Sequence, residues 1–112
     1  MVKEQLVKID PKNLMACSVE LYFLLKNKLK DEPIRLNVGI YGNLVGPLFV
    51  EVENASSGNV TLCEGYFERN GSFVWERKNI KSVAQNQLAK IEHWVKRYME
   101  ELATYYEEEI KK

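Results

Sequence analysis

The sequence predicts an α+β fold: a mostly antiparallel sheet of four to five strands, ordered β-α-β-β-β-β-α, with a long amphipathic helix at the C-terminal end. Three observations predict it. Apolar residues recur at helical spacing over residues 14–29 and again over residues 84–106, the mark of helices with a buried stripe. Between them apolar and polar residues alternate, the two-residue period of a half-buried strand. The dipeptide Asn70-Gly71 interrupts that alternation and favours a hairpin turn, because both residue types tolerate positive φ. At 112 residues the chain makes one domain, residues 1–112.

Val2 to Ile9 alternates loosely and reads as a short first strand or an ordered arm. Asp10-Pro11 starts a helix: aspartate accepts from free backbone N–H groups, and proline lacks the N–H that a first turn leaves unpaired. From Lys12 to about Lys30, Leu14, Ser18, Leu21 and Leu25 share a face, widened by Met15, Val19, Tyr22 and Leu29. Pro33 ends the helix, because the residue before proline is pushed out of helical geometry. Arg35 to Tyr41 is a strand with Leu36, Val38 and Ile40 on one face and Arg35, Asn37 and Tyr41 on the other.

Gly42-Asn43 reads as a two-residue turn into a return strand, Leu44 to Glu53, which Gly46-Pro47 interrupts as a bulge or edge feature. Asn54 to Gly58 is a loop, and Asn59 to Arg69 the next strand. Counting outward from Asn70-Gly71, Arg69 opposes Ser72, Tyr66 opposes Trp75 and Glu64 opposes Arg77. That register gathers Tyr66, Phe73 and Trp75 on one face with Val60 and Leu62, and sends Cys63, Phe67 and Val74 to the other. Ser82 and Gln85 form a capping box. The helix it opens runs toward the C-terminus for about 30 residues, or about 45 Å. Ala84, Leu88, Ile91, Val95, Tyr98, Leu102 and Tyr105 form its stripe.

Composition narrows the function. Sixteen Lys and Arg balance sixteen Asp and Glu, so no net field draws the chain to nucleic acid or an anionic membrane. No window approaches the roughly 18 apolar residues of a spanning helix. The stretch from Met1 to Lys12 has charges throughout and no apolar core of a secretory signal, so a cytoplasmic protein is expected. Three Asn-x-Ser/Thr triplets, at Asn54, Asn59 and Asn70, are then turn chemistry rather than glycan acceptors. Cys17 and Cys63 lack the close spacing of a zinc or redox pair. No metal ligand set, cofactor or catalytic residue is assigned.

Each candidate for chemistry has a plainer reading. His93 has no second imidazole and no nucleophile near it in sequence. Glu76-Arg77-Lys78 matches the E-x-K part of metal-dependent nuclease sites; the expected register sends Glu64 and Glu76 to opposite faces, which disfavours an enzyme. The aromatics Tyr66, Phe73 and Trp75, with Arg69, Arg77 and Lys78 nearby, could stack bases and hold phosphates. A sheet that must bury one face under helices fills it with the same aromatics.

The expected function is a non-enzymatic interaction or regulatory protein. A helix of about 45 Å overhangs strands of about 23 Å, and its tip still carries Leu102, Tyr105 and Tyr106. A second copy is the simplest cover for that tip, so a homodimer through Tyr98, Leu102, Tyr105 and Tyr106 is expected, with a further protein partner possible. The alternative is a small nucleic-acid-binding module using Tyr66, Arg69, Phe73, Trp75, Arg77 and Lys78.

Overall fold

A computed structural model of the chain describes residues 4–42, 46–55, 60–79, 81 and 83–110, the last two as backbone only. The elements are α1 (Leu14–Lys28), β1 (Ile34–Ile40), β2 (Leu48–Asn54), β3 (Val60–Phe67), β4 (Phe73–Arg77) and α2 (Gln85–Ile110). The four strands form one antiparallel sheet in sequence order. Both helices lie on one face of it, so the body has two layers and is 20 Å across its shortest dimension. α1 lies over β1 and β2. α2 meets the other pair of strands: Tyr106 packs edge-on to Phe67, and Glu92 bonds Trp75. The core is the shared layer of Leu14, Leu21 and Leu25 from α1, Leu48, Val50, Val52, Cys63 and Phe67 from the sheet, and Ile91, Val95, Tyr98 and Leu102 from α2.

The α+β architecture is the one the sequence predicts; several details differ. Residues 4–13 form the arm rather than a fifth strand. α1 is capped by Asn13, whose side chain accepts from the Ala16 N–H at 3.1 Å. Asp10 instead closes the turn before it, accepting from the Lys12 N–H. β1 pairs with β2 as far as Ile40 opposite Leu48, so the connection spans residues 41–47 and is longer than a two-residue turn; Asn43 lies outside the described residues. Within it the Gly46 N–H donates to the Tyr41 carbonyl at 3.0 Å. A Cβ at Gly46 would stand 2.3 Å from that same oxygen, so only glycine fits. The sheet irregularity falls not at Gly46-Pro47 but between β2 and β3, where the register shifts after Val52. Leu62 is the extra residue, and it and Cys63 both end up buried.

The hairpin register is also corrected. Phe67 opposes Phe73, Tyr66 opposes Val74, Gly65 opposes Trp75 and Glu64 opposes Glu76. Arg69, Asn70 and Gly71 form a three-residue loop closed by the Glu68 N–H donating to the Ser72 carbonyl at 2.9 Å. Gly71 takes a φ of 95°, the left-handed residue such loops use. Asn70 turns its side chain onto Ser72, accepting from both the N–H and the hydroxyl. One residue of slip exchanges the faces of every side chain. Phe73 and Trp75 therefore point to the core with Phe67, and Tyr66 points away.

α2 begins at Gln85; the Ser82 of the expected capping box lies outside the described residues. At 26 residues it is about 39 Å long, and its C-terminal half does not stand bare. The arm crosses it. The Glu101 carboxylate accepts from the Leu6 and Val7 N–H groups, each at 2.8 Å. The Tyr106 hydroxyl donates to the Pro11 carbonyl at 2.9 Å. Arg97 donates to the Glu4 carbonyl, and Gln5 donates to the Tyr105 hydroxyl. Leu6 and Val7 are buried in consequence. Among the described residues, no helix is long and apolar enough to cross a membrane.

Candidate functional site

The residues picked out for an interface on α2 are mostly spent inside the chain. Tyr98 and Leu102 are fully buried, and the Tyr98 hydroxyl donates to Glu20 Oε1 at 2.9 Å while standing 3.1 Å from the Cys17 carbonyl. Burial raises the Tyr98 phenol well above its ordinary value. Tyr105 and Tyr106 are half-buried against the arm and the hairpin. The arm thus supplies over the end of α2 the cover expected of a second copy.

The six residues proposed for nucleic acid do not form one surface either. Phe73 and Trp75 face the helices and pack on the core. Arg77 is on that same side: it donates to Glu92 through Nε at 2.9 Å and Nη2 at 2.7 Å. The Trp75 indole donates to Oε2 of the same carboxylate, the oxygen that also accepts from Arg77 Nε, at 2.6 Å. Glu92 is buried to 6% exposure, and the Arg77 guanidinium, outweighing the burial, holds its carboxyl below the ordinary value. This is a clamp between β4 and α2. Arg69 sits at the hairpin loop, on the rim of a shallow cavity of about 370 Å³ with Asp10 and Lys12. Tyr66 and Lys78 face the opposite way, onto the side of the sheet that neither α1 nor α2 covers.

That open face is built from side chains in a regular arrangement. Across it run two rows of side chains. The first is Gly39, Phe49, Tyr66 and Val74, one from each strand. Tyr41 folds back beside it, its ring 4.4 Å from Phe49 and 5.6 Å from Tyr66. Gly39 leaves room for this stack, since a Cβ there would stand 3.2 Å from the Phe49 ring. The Tyr41 hydroxyl bonded beside it and the nearby Glu64 push the Tyr66 phenol up to about 12. Val74 is 58% exposed and Tyr41 46%. The second row is Asn37, Glu51, Glu64 and Glu76.

Glu64 and Glu76 are thus direct partners on one face, contrary to the sequence expectation. Lys78 Nζ sits 3.4 Å from one and 3.3 Å from the other, where it neutralises them. Glu53 and Arg35 continue the face beyond, 4.0 Å apart. Among the described residues no three acidic, histidine or cysteine side chains are grouped to hold a metal ion. His93 is exposed on α2, its ring edge-on to Trp94. Both cysteines are free and buried; burial pushes the Cys17 thiol up to about 11 and the Cys63 thiol to about 12, which leaves little of the thiolate that reacts.

The row of aromatics combines two residues that the sequence places in plain sight. Tyr41 and Phe49 fall on the polar side of their strands' alternation, beside Arg35, Asn37, Glu51 and Glu53. An aromatic on the wet side of a strand is the signal. A comparison of the chain with protein-family models, with curated proteins and with solved structures gave no match.

Proposed function

We propose that this chain is a non-enzymatic interaction protein of a reducing compartment such as the cytoplasm, and that it works through the open face of its sheet. The observation that carries the reading is the aromatic row, Tyr41, Phe49 and Tyr66 with Val74, standing on a face that neither α1 nor α2 covers. Apolar side chains grouped in water mark contact surfaces more often than isolated ones do. The charge around them selects the partner. Among the described residues of the paired strands, Glu51, Glu53, Glu64 and Glu76 outnumber Arg35 and the adjoining Lys78 on that face, so it suits a protein surface with apolar side chains and positive charge. A polyphosphate backbone is repelled by that excess of carboxylates. The aromatic rings are also stacked on one another, which takes up ring surface that bases would use.

Self-association remains part of this proposal, moved from α2 to surfaces that are exposed. The test is a binding panel: short peptides that pair leucine or phenylalanine with lysine, their acidic counterparts, and a single-stranded oligonucleotide. The basic apolar peptides bind, and Val74→Glu and Tyr66→Ala abolish that binding with the fold intact by circular dichroism. Oligonucleotide binding that falls steeply with salt, or peptide binding indifferent to both substitutions, overturns the reading.

A further inference from the structure

The surface that answers the open sheet face lies on the same chain. α1 is apolar on both sides. Its buried side is Leu14, Cys17, Leu21 and Leu25. Its opposite side carries Met15, Val19 and Phe23, exposed to 43%, 51% and 61%. These are spaced by four residues and so form one ridge along the helix. A surface helix ordinarily presents polar residues there, as α2 does with Lys90, His93, Glu100 and Glu107. At about 100° per residue, Lys26 falls within the same sector as the ridge. Lys12 and Lys30 flank the helix, both exposed, with exposed Asp10 and Asp31 beside them, so the charge of the ridge itself is that of Lys26. The one acid in α1, Glu20, is turned aside, where it accepts from the Lys8 N–H and the Tyr98 hydroxyl. The ridge is therefore apolar with positive charge, the chemistry proposed above for the partner of the sheet.

From this we infer that the partner is a second copy of the chain, docked head to tail, the outer ridge of α1 on one copy lying across the open sheet face of the next. The inference rests on the sheet face being the working surface. Three observations choose this arrangement. The two surfaces lie on opposite sides of a body 20 Å thick, so they cannot meet within one chain. The 15 residues of α1 measure about 22 Å, which matches the roughly 23 Å of a seven-residue strand. Finally, the symmetric alternatives set like charges together. Sheet against sheet opposes the row of Glu51, Glu64 and Glu76 to itself, and α1 against α1 opposes lysine to lysine. Only the mixed contact places Phe23 and Val19 on Tyr41, Phe49 and Val74 with Lys26 facing glutamates.

A contact between two different surfaces does not end at two copies. It continues into an open chain, or closes into a ring if the rotation allows. One helix on one sheet face falls short of the roughly 800 Å² per partner of a stable complex, so assembly depends on concentration and weakens with salt.

Two exposed substitutions test it, Phe23→Glu on the ridge and Val74→Glu on the sheet, followed by sedimentation velocity from micromolar to millimolar protein. The wild type rises beyond twice the monomer mass at the top of that range. Each variant alone stays monomeric. An equimolar mixture of the two forms a dimer and nothing larger, because the intact ridge of one still fits the intact sheet of the other. If Phe23→Glu misfolds, Lys26→Glu serves in its place on the ridge, and if Val74→Glu misfolds, Tyr66→Ala serves on the sheet; each lowers the apparent association constant at least tenfold. A wild type monomeric at every concentration, a mixture that stays monomeric, or an assembly that stops at dimers overturns the inference. If the wild type is monomeric while Val74→Glu still abolishes peptide binding, head-to-tail docking fails and the sheet-face reading stands. If Val74→Glu changes neither assembly nor peptide binding, both fall.

Discussion

Tyr66 and Phe67 are neighbours in β3, yet they live in different surroundings. Phe67 is fully buried between Phe73 and Tyr106, on the face that both helices cover. Tyr66 is half-buried on the other face, against Tyr41 and beside Val74. The same contrast repeats along the sheet. The covered face is finished within one chain, its polar groups matched by the Glu92 clamp and its apolar groups by two helices. The open face is organised but unfinished, with a packed aromatic row whose upper surface meets water. One face stores stability, and the other has side chains to spare for contact.

The largest test of that contrast is the pair of truncations Phe67→Ala and Tyr66→Ala. Phe67→Ala removes a ring from a close-packed core and lowers the unfolding free energy by about 3–5 kcal/mol. Tyr66→Ala loses part of one stacked contact and costs about 1 kcal/mol. Urea unfolding of both variants measures the difference. The order reverses if Tyr66 faces the core, as the register counted from the turn has it.

Glycines give a matched pair of intermediate size. A Cβ at Gly65 would stand 2.7 Å from the Trp75 ring and 2.9 Å from the Val74 carbonyl. Trp75 cannot retreat, because its indole is bonded to Glu92, so Gly65→Ala costs about 1–3 kcal/mol. At Gly39 the neighbour is the Phe49 ring at 3.2 Å, a looser contact with one side chain and no backbone, and the same substitution costs less, about 0.5–1 kcal/mol. Glu92→Gln removes the charge from the clamp and costs about 1–3 kcal/mol. Its pH dependence has a definite sign. The Glu92 carboxyl titrates below its ordinary value of 4.5 when folded, so its contribution is complete above that value and is lost as pH falls through the lower, folded one. Wild type and Glu92→Gln therefore converge in stability in acid, and a constant gap across that range excludes the clamp as its source.

Helices and strands were legible because each is a periodicity, and Leu14 to Leu25 or Ile91 to Leu102 hold theirs over several turns. Register was not, because it rests on single residues. Asn70-Gly71 serves a two-residue loop as well as a three-residue one, and only the burial of Phe67 with Phe73 decides between them. The extra residue at Leu62 has no sequence mark, since Val60, Leu62 and Cys63 are all apolar. The cover over the end of α2 was hidden for another reason. Leu6 and Val7 are two apolar residues in a charged segment, and what holds them is a side chain from the far end of the chain, Glu101. Of the three aromatics of the candidate site only Tyr66 stands out in the sequence, beside the turn; Tyr41 and Phe49 sit on the wet side of their strands, where periodicity alone gives no reason for a ring.

The smallest effect separates the two faces by their charges. Arg77 and Lys78 are adjacent and each meets carboxylates, but Arg77 makes two bonds to a carboxylate that is 9% exposed, whereas Lys78 is a point charge between Glu64 and Glu76, the latter 59% exposed. Solvent screens the second arrangement, and exposed pairs of this kind contribute about 0–1 kcal/mol. Lys78→Ala therefore lowers stability by less than about 1 kcal/mol, with the loss shrinking as salt is added. Arg77→Ala costs more and is less sensitive to salt, because Glu92 is then left buried without its partner. Substituting Lys78 also strips the row of Glu51, Glu64 and Glu76 of its bridging cation. Binding of a lysine-bearing apolar peptide to the sheet should then strengthen even as the fold weakens slightly. Opposite signs for stability and affinity are what a contact surface gives, and a parallel fall in both would place Lys78 among the groups that merely hold the sheet together.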